Sequence, residues 1–278
     1  MGSKTLGELM STSPLSRLET QMIWSHVLGV SRAWLIAHDT DTIDEQHYFD
    51  AMRLQQRRLQ GEPMAYILGC KEFMSRMFQV NDDVLIPRPE TELLAEHAIN
   101  ELKNRVLNGA GSLNVLDLGT GSGALAVTIA LEVPDAHVYA TDVSEKAIKV
   151  AKYNALNHGA KVEFFIGNWY HALPEGMDFD VIVSNPPYIA TSDSHLSQGD
   201  VRFEPQLALV SGADGLNALR TIVGSADRWL RKGGCLFMEH GWDQSDDVSS
   251  IMSNNGFTKV QSLPDLAGHM RITGGFKN

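Results

Sequence analysis

Beyond about residue 110 the chain alternates short apolar runs with helical stripes, the pattern of a doubly wound, mostly parallel sheet. Seven runs read as strands, at 114–118, 137–141, 162–166, 181–184, 234–239, 258–262 and 269–273. Helical spacing falls near 123–132, 144–158 and 215–231. The N-terminal part has a different period. Ser13-Pro14 reads as a helix start, followed by Leu15, Leu18, Met22 and Ile23 at helical spacing up to Gly29. Ser31 caps a second short helix with Trp34, Leu35 and Ile36, and a third runs from Asp44 through Tyr48, Phe49, Met52 and Leu59 to Gly61. Arg53, Arg57 and Arg58 fall on the side of that helix expected to face solvent.

Three parts follow from these periods: a helical domain over 1–75, a linker over 76–90, and an α/β domain over 91–278. Two extended pieces, 73–78 and 83–86, joined through Asn81-Asp82, predict that the linker is a β-hairpin. Pro87-Arg88-Pro89 then opens a helix whose Leu93, Leu94, Ala98, Ile99 and Leu102 form one apolar stripe.

The fourth apolar run ends in Asn185-Pro186-Pro187-Tyr188. Two prolines cannot donate ladder hydrogen bonds, so the strand stops and Asn185 is left at its carboxyl end. In open α/β sheets ligands bind there. The Asn185 side-chain oxygen and the Pro186 carbonyl offer two acceptors, enough to hold both hydrogens of a planar NH2 group. Pro187 stiffens the turn, and Tyr188 adds a flat face on which a planar group can stack. Asn-Pro alone is only a tight turn.

The first run of the α/β part, Val115-Leu116-Asp117-Leu118, enters Gly119-Thr120-Gly121-Ser122-Gly123 and then a helix. Such glycines permit a sharp turn and a close approach of ligand to main chain. The spacing is Gly-x-Gly-x-Gly, and no Gly-Lys-Ser/Thr follows, so a phosphate-binding P-loop is excluded. The second strand ends at Asp142, which suits a bidentate hold on the two hydroxyls of a ribose, or a helix cap shared with Ser144. After the third strand come Asn168, able to bond the edge of an adenine, and Trp169, able to stack on it or to serve as a core aromatic. Gly119 to Gly123, Asp142, Asn168, Trp169 and Asn185 are the candidate cofactor-binding residues. His240 is available as a base, although a structural role beside the sheet suits it better.

Composition narrows the picture. The 278 residues are 43% hydrophobic and 21% charged, as in ordinary globular proteins. With 34 acidic against 23 basic residues, a formal charge of -11 argues against general nucleic-acid binding, and no direct DNA binding is expected. Two cysteines, Cys70 and Cys235, give neither a disulfide framework nor a zinc cluster, and no metal is expected. The N-terminal Met1-Gly2-Ser3-Lys4 begins no apolar signal segment, and the longest apolar stretch contains Asp117 and three glycines. A cytoplasmic protein without a membrane span is expected.

Together these residues resemble a class I S-adenosylmethionine-dependent methyltransferase, with a Rossmann-like seven-stranded sheet. The segment 85–92, Leu-Ile-Pro-Arg-Pro-Glu-Thr-Glu, closely resembles the signature of the peptide chain release factor glutamine methyltransferases. The stretches 203–209 and 211–216, Glu239-His240-Gly241 and Asp265-Leu266-Ala267-Gly268 resemble that family as well. One departure is His269-Met270-Arg271, where two charged residues flanking an arginine are expected. The resemblance implies S-adenosylmethionine as methyl donor and class 1 release factors as protein substrate. It implies methylation of the side-chain amide of the glutamine in their Gly-Gly-Gln motif. It assigns that amide to Asn185, Pro186, Pro187 and Tyr188, and the body of the release factor to the helical domain. A ribosomal-protein glutamine methyltransferase has the same core, and a DNA adenine methyltransferase uses the same four residues on a flipped base. The Pro-Glu-Thr-Glu spelling at 89–92 favours release factors. No basic tract or recognition domain for DNA is visible. A nucleoside-binding module that has lost activity is the non-enzymatic reading, and intact Asn185 and Tyr188 argue against it.

Overall fold

The computed structural model describes residues 4–278; the absence of a signal segment at residues 1–3 concerns positions outside this range. The chain divides into two compact units, one made of Met1–Cys70 with Ser197–Phe203, the other of Lys71–Leu196 with Glu204–Asn278.

The first unit holds helices α1 (Leu6–Ser11), α2 (Arg17–Leu28), α3 (Arg32–Ala37), α4 (Glu45–Leu59) and α5 (Met64–Leu68). Buried Leu6, Ile23, Trp24, Leu35 and Leu54 form its core. Helix α2 starts three residues later than Ser13-Pro14 suggests. Ser16 and Glu19 form a reciprocal capping box there, and satisfying two orphan donors at once outweighs a proline-first start. A second box, Thr5 with Glu8, opens α1, a helix too short to show a period. Ser31 and Asp44 cap α3 and α4 as their sequence predicts. Arg58, expected on the solvent side, is instead drawn inwards: it pairs with Glu19 at 2.7 Å and Asp200 at 2.9 Å.

A hairpin of β1 (Cys70–Phe73) and β2 (Arg76–Gln79) follows, all but its first residue in the second unit. Its turn is Met74-Ser75, not Asn81-Asp82. Both turn residues take positive φ, 49° and 59°, the conformation that matches strand twist in a two-residue loop. Asn81 instead accepts the N–H of Asp83 in a local side-chain turn. Phe73 and Phe78 meet edge to face at 6.0 Å beneath the hairpin.

Helix α6 (Pro89–Leu107) leads into the main sheet, formed by β3 (Leu113–Leu118), β4 (Ala136–Asp142), β5 (Val162–Ile166), β6 (Phe179–Ser184), β7 (Leu230–Glu239), β8 (Thr258–Pro264) and β9 (Met270–Phe276). The spatial order is β5-β4-β3-β6-β7-β9-β8. In this sheet β9 runs opposite to the other six strands. Helices α7 (Ala124–Glu132), α8 (Glu145–His158), α9 (Asn217–Ala226) and α10 (Ser245–Asn254) flank the sheet. Helix α10 is mostly polar, with only Val248 and Met252 buried, which explains why its period is hard to read. One core layer packs α6 and α7 on one face of the sheet, and the other packs α9 and α10 on the opposite face.

The strand order reverses between β3 and β6, where Leu118 stands beside Ser184. The Ser184 hydroxyl donates to the Leu118 carbonyl at 2.7 Å. This switch point places the loop after β3 and Asn185 side by side at the carboxyl edge of the sheet.

Candidate active site

On one side of the switch point, Gly119 and Thr120 donate backbone N–H groups to the Thr141 carbonyl at 2.8 and 3.0 Å. This folds the glycine loop back against the end of β4. Asp142 then accepts from Gly121 N–H at 2.9 Å on one carboxylate oxygen and from Ser144 N–H at 2.8 Å on the other. Burial pushes the Asp142 carboxyl above its ordinary range, opposed by these backbone donors. The hydroxyl of Ser144, not Asp142, caps α8. Trp169 follows β5 with φ at 48°, an uncommon conformation for a large side chain. Its ring lies against Gly119, where an added Cβ would stand 3.1 Å from the ring in an already left-handed backbone.

On the other side stands Asn185. Its amide nitrogen donates to the Thr91 hydroxyl at 2.9 Å, and Thr91 donates onward to Glu239 at 2.7 Å. The Tyr188 hydroxyl donates to the second Glu239 oxygen at 3.2 Å. Glu239 is 1% exposed, and burial pushes its carboxyl up to about 7 against the pull of Thr91 and Tyr188. Burial likewise pushes the Tyr188 phenol far up, with Glu239 adding to the shift, so it stays a donor.

Between the two sides lies a cavity of about 520 Å3. Gly119, Gly121, Asp142, Asn168, Trp169, Asn185 and Pro187 all line it. Five other candidates do not. Thr120 is buried and donates to Asp117 at 2.6 Å. The Ser122 carbonyl accepts from Asn154 at 2.8 Å, and a Cβ on Gly123 would stand 2.9 Å from Ala151. Pro186 is buried beneath the turn, and Tyr188 points to Glu239.

The relatives decide the family. A release factor glutamine methyltransferase from Bordetella pertussis is 51% identical over 271 residues, 98% of either chain. The chain belongs to the release factor glutamine methyltransferase family. The enzyme of that name from Neisseria gonorrhoeae is 48% identical over 97% of this chain and 96% of its own. Residues 3–69 match the PrmC N-terminal domain, and residues 91–201 match the Methyltransferase small domain. The fold has solved counterparts. A T. thermophilus 16S rRNA N2 G1207 methyltransferase, in complex with AdoMet and guanosine, is similar with a TM-score of 0.57 at 19% identity, over 75% of this chain and 50% of that one. A Pyrococcus furiosus methyltransferase is similar with a TM-score of 0.55 at 19% identity, over 81% and 98%. The class I methyltransferase architecture and the enzyme class are thereby fixed.

Several residues of this family member's site carry no local signal in the sequence. Leu85 and Pro205 both line the cavity, and Glu204 ties their segments together. Its fully buried carboxylate accepts the Ile86 N–H at 3.0 Å and pairs with the Arg88 guanidinium. A lone Glu and a lone Arg more than a hundred residues apart give no pattern; only the family motifs around them mark the place. Thr91 and Glu239 are hidden in the same way. His240, available as a base by sequence, is fully buried and outside the cavity lining. Its Nδ1 donates to the Gly241 carbonyl at 2.8 Å, so Nε2 accepts from Thr273 at 2.8 Å. Burial lowers its pKa, and the neutral ring is a structural brace. Among the described residues no group of three or more His, Cys, Asp or Glu side chains is placed to hold a metal, and no helix is long and apolar enough to cross a membrane.

Proposed function

We propose that the chain transfers the methyl group of S-adenosylmethionine to the side-chain amide nitrogen of a glutamine, that of the Gly-Gly-Gln motif in class 1 peptide chain release factors, in the cytoplasm. The observation that carries the residue assignment is the orientation of Asn185. Thr91 takes up its NH2, which leaves the amide oxygen as an acceptor on a residue of the cavity wall.

The residues present fit the cofactor. Each Asp142 oxygen spends one lone pair on a backbone N–H and keeps capacity for a ribose hydroxyl. Gly121 presents bare backbone with nothing within 4 Å of a notional Cβ, so the main chain can be approached closely. Trp169 and Asn168, both on the cavity wall, suit an adenine. When bound, S-adenosylmethionine supplies a methyl group on a sulfonium, an electrophile that needs no acid to activate it.

The chain's own residues act on the nucleophile. An amide nitrogen is weak because its lone pair is delocalised into the carbonyl. The Asn185 side-chain oxygen, on the cavity wall, accepts one of its N–H groups and fixes its orientation; the Pro186 carbonyl, expected from the sequence as the second acceptor, belongs to a residue that does not line the cavity. As the nitrogen pyramidalises it gains positive charge, which the Asn185 oxygen stabilises. The surplus proton leaves to water, consistent with the neutral, bonded state of His240. The helical unit recognises the body of the release factor, and no direct DNA binding is part of this reading.

Offering labelled S-adenosylmethionine with release factor, ribosomal protein and duplex DNA in parallel tests it. Label is expected on release factor, and it disappears when the Gly-Gly-Gln glutamine is replaced. Label on ribosomal protein or DNA would overturn the assigned substrate.

A further inference from the structure

An asparagine amide has two faces of opposite character, and only one of them can accept an N–H. Nothing in Asn185 itself selects that face, since the two ends of the amide are nearly the same size and shape. The selection lies in what the other end meets.

The Asn185 NH2 meets the Thr91 hydroxyl at 2.9 Å. A hydroxyl has one proton, and Thr91 directs it to Glu239 at 2.7 Å. Thr91 is 6% exposed and Glu239 1% exposed, so water does not compete for either. Once the hydroxyl proton is committed to a carboxylate, the Thr91 oxygen is only an acceptor towards Asn185. A flipped amide would set two oxygens against each other in a dry environment, a costly arrangement. Glu239 is itself held: Tyr188 donates to its other oxygen, and Glu239 ends β7 beside Ile272 of β9. Thr91 stands in the first turn of α6, whose buried Leu94 and Ala98 belong to the core on the sheet. The relay is therefore mounted on rigid elements at both ends.

We propose that Thr91 and Glu239 are positioning residues that lock the Asn185 amide with its oxygen facing the substrate nitrogen. This rests on the assignment of Asn185 to the glutamine amide. It adds that the Thr of the Pro-Glu-Thr-Glu segment acts through Asn185 without touching substrate or cofactor. Removing the hydroxyl frees the amide to turn its NH2 towards an NH2 substrate, and the two donors repel.

The test is single-turnover methyl transfer to release factor at pH 8 by Thr91→Val, Thr91→Ser, Asn185→Ala and the double variant Thr91→Val/Asn185→Ala. Cofactor affinity and thermal midpoint are measured on each. Thr91→Val is expected to slow transfer about tenfold or more while leaving cofactor affinity within about twofold. Thr91→Ser keeps the hydroxyl and restores most of the rate. In the Asn185→Ala background Thr91→Val costs nothing further, because there is no amide left to orient. Transfer by Thr91→Val at the wild-type rate would overturn the relay. So would an equal further loss in the Asn185→Ala background, which marks a role in folding alone. Normal transfer by Asn185→Ala removes the underlying site assignment and the relay with it, an outcome distinct from the other two.

Discussion

Asp142 holds Gly121 through a 2.9 Å bond from the Gly121 N–H to a carboxylate oxygen, while its other oxygen holds Ser144 at 2.8 Å. One side chain thus sets the shape of the glycine loop and presents acceptors to the cavity. Asp142→Asn replaces one acceptor by an NH2 that faces a backbone donor. It is expected to weaken S-adenosylmethionine binding by roughly 10- to 100-fold, as for loss of a charge-assisted hydrogen bond. Calorimetric titration of the variant checks this. Unchanged affinity would remove Asp142 from the cofactor site.

Gly215 supports the other side. It has φ of 77°, and a Cβ there would stand 2.3 Å from the Tyr188 carbonyl oxygen and 2.7 Å from Gln244 Nε2. The Gln244 amide donates to that same carbonyl at 3.0 Å, so the turn after Asn185 is pinned from outside. Gly215→Ala is expected to cost on the order of 2–4 kcal/mol of stability and to reduce transfer. Gly224, inside α9 with nothing within 4 Å of a notional Cβ, is the control. Gly224→Ala should be neutral or gain up to about 1 kcal/mol. Denaturant unfolding of the two variants compares them directly, and equal destabilisation would contradict the close approach.

Asp117 gives a pH dependence. It is 1% exposed, and burial pushes its carboxyl from an ordinary 3.8 up to about 7, against the pull of the Thr120 hydroxyl. A folded-state pKa above the unfolded value means that the native chain binds the proton more tightly. The resulting stabilisation is complete below about pH 4 and is lost as pH rises through about 7. Replacing Asp117 by Asn removes that contribution. Between pH 5 and pH 8 the wild-type protein should lose roughly 2 kcal/mol more stability than Asp117→Asn, with Glu239 leaving a residual slope in both. Denaturant unfolding at the two pH values measures it; equal slopes would mean that Asp117 titrates in its ordinary range.

The centre of the sheet is legible in the sequence because β3 and β6 are short apolar runs bounded by turn residues, whereas the edge strand β8 carries only an alternation of apolar and polar residues. The Asn185 turn and the glycine loop are legible for the same reason, since chemistry at strand ends is marked by where the apolar run stops. What sequence reading misses is set by contacts distant in the chain. The hairpin turn falls on Met74-Ser75, whose composition does not announce a left-handed turn. Arg58 sits on the side of α4 that the helical period gives to solvent, yet Glu19 and Asp200 draw it in. The Thr91–Glu239 bond joins residues 148 positions apart, so no local pattern contains it. Within the glycine loop, sequence spacing does not distinguish the residues on the cavity, Gly119 and Gly121, from Thr120, Ser122 and Gly123, which brace the loop from behind.

The central claim is that Asn185 holds the acceptor nitrogen and does little for the cofactor. Comparing Asn185→Ala with wild type for both S-adenosylmethionine affinity and methyl transfer to release factor tests it most directly. Cofactor affinity within a few-fold of wild type and transfer reduced about a hundredfold or more are the expected results. Transfer at the wild-type rate by Asn185→Ala would contradict the account.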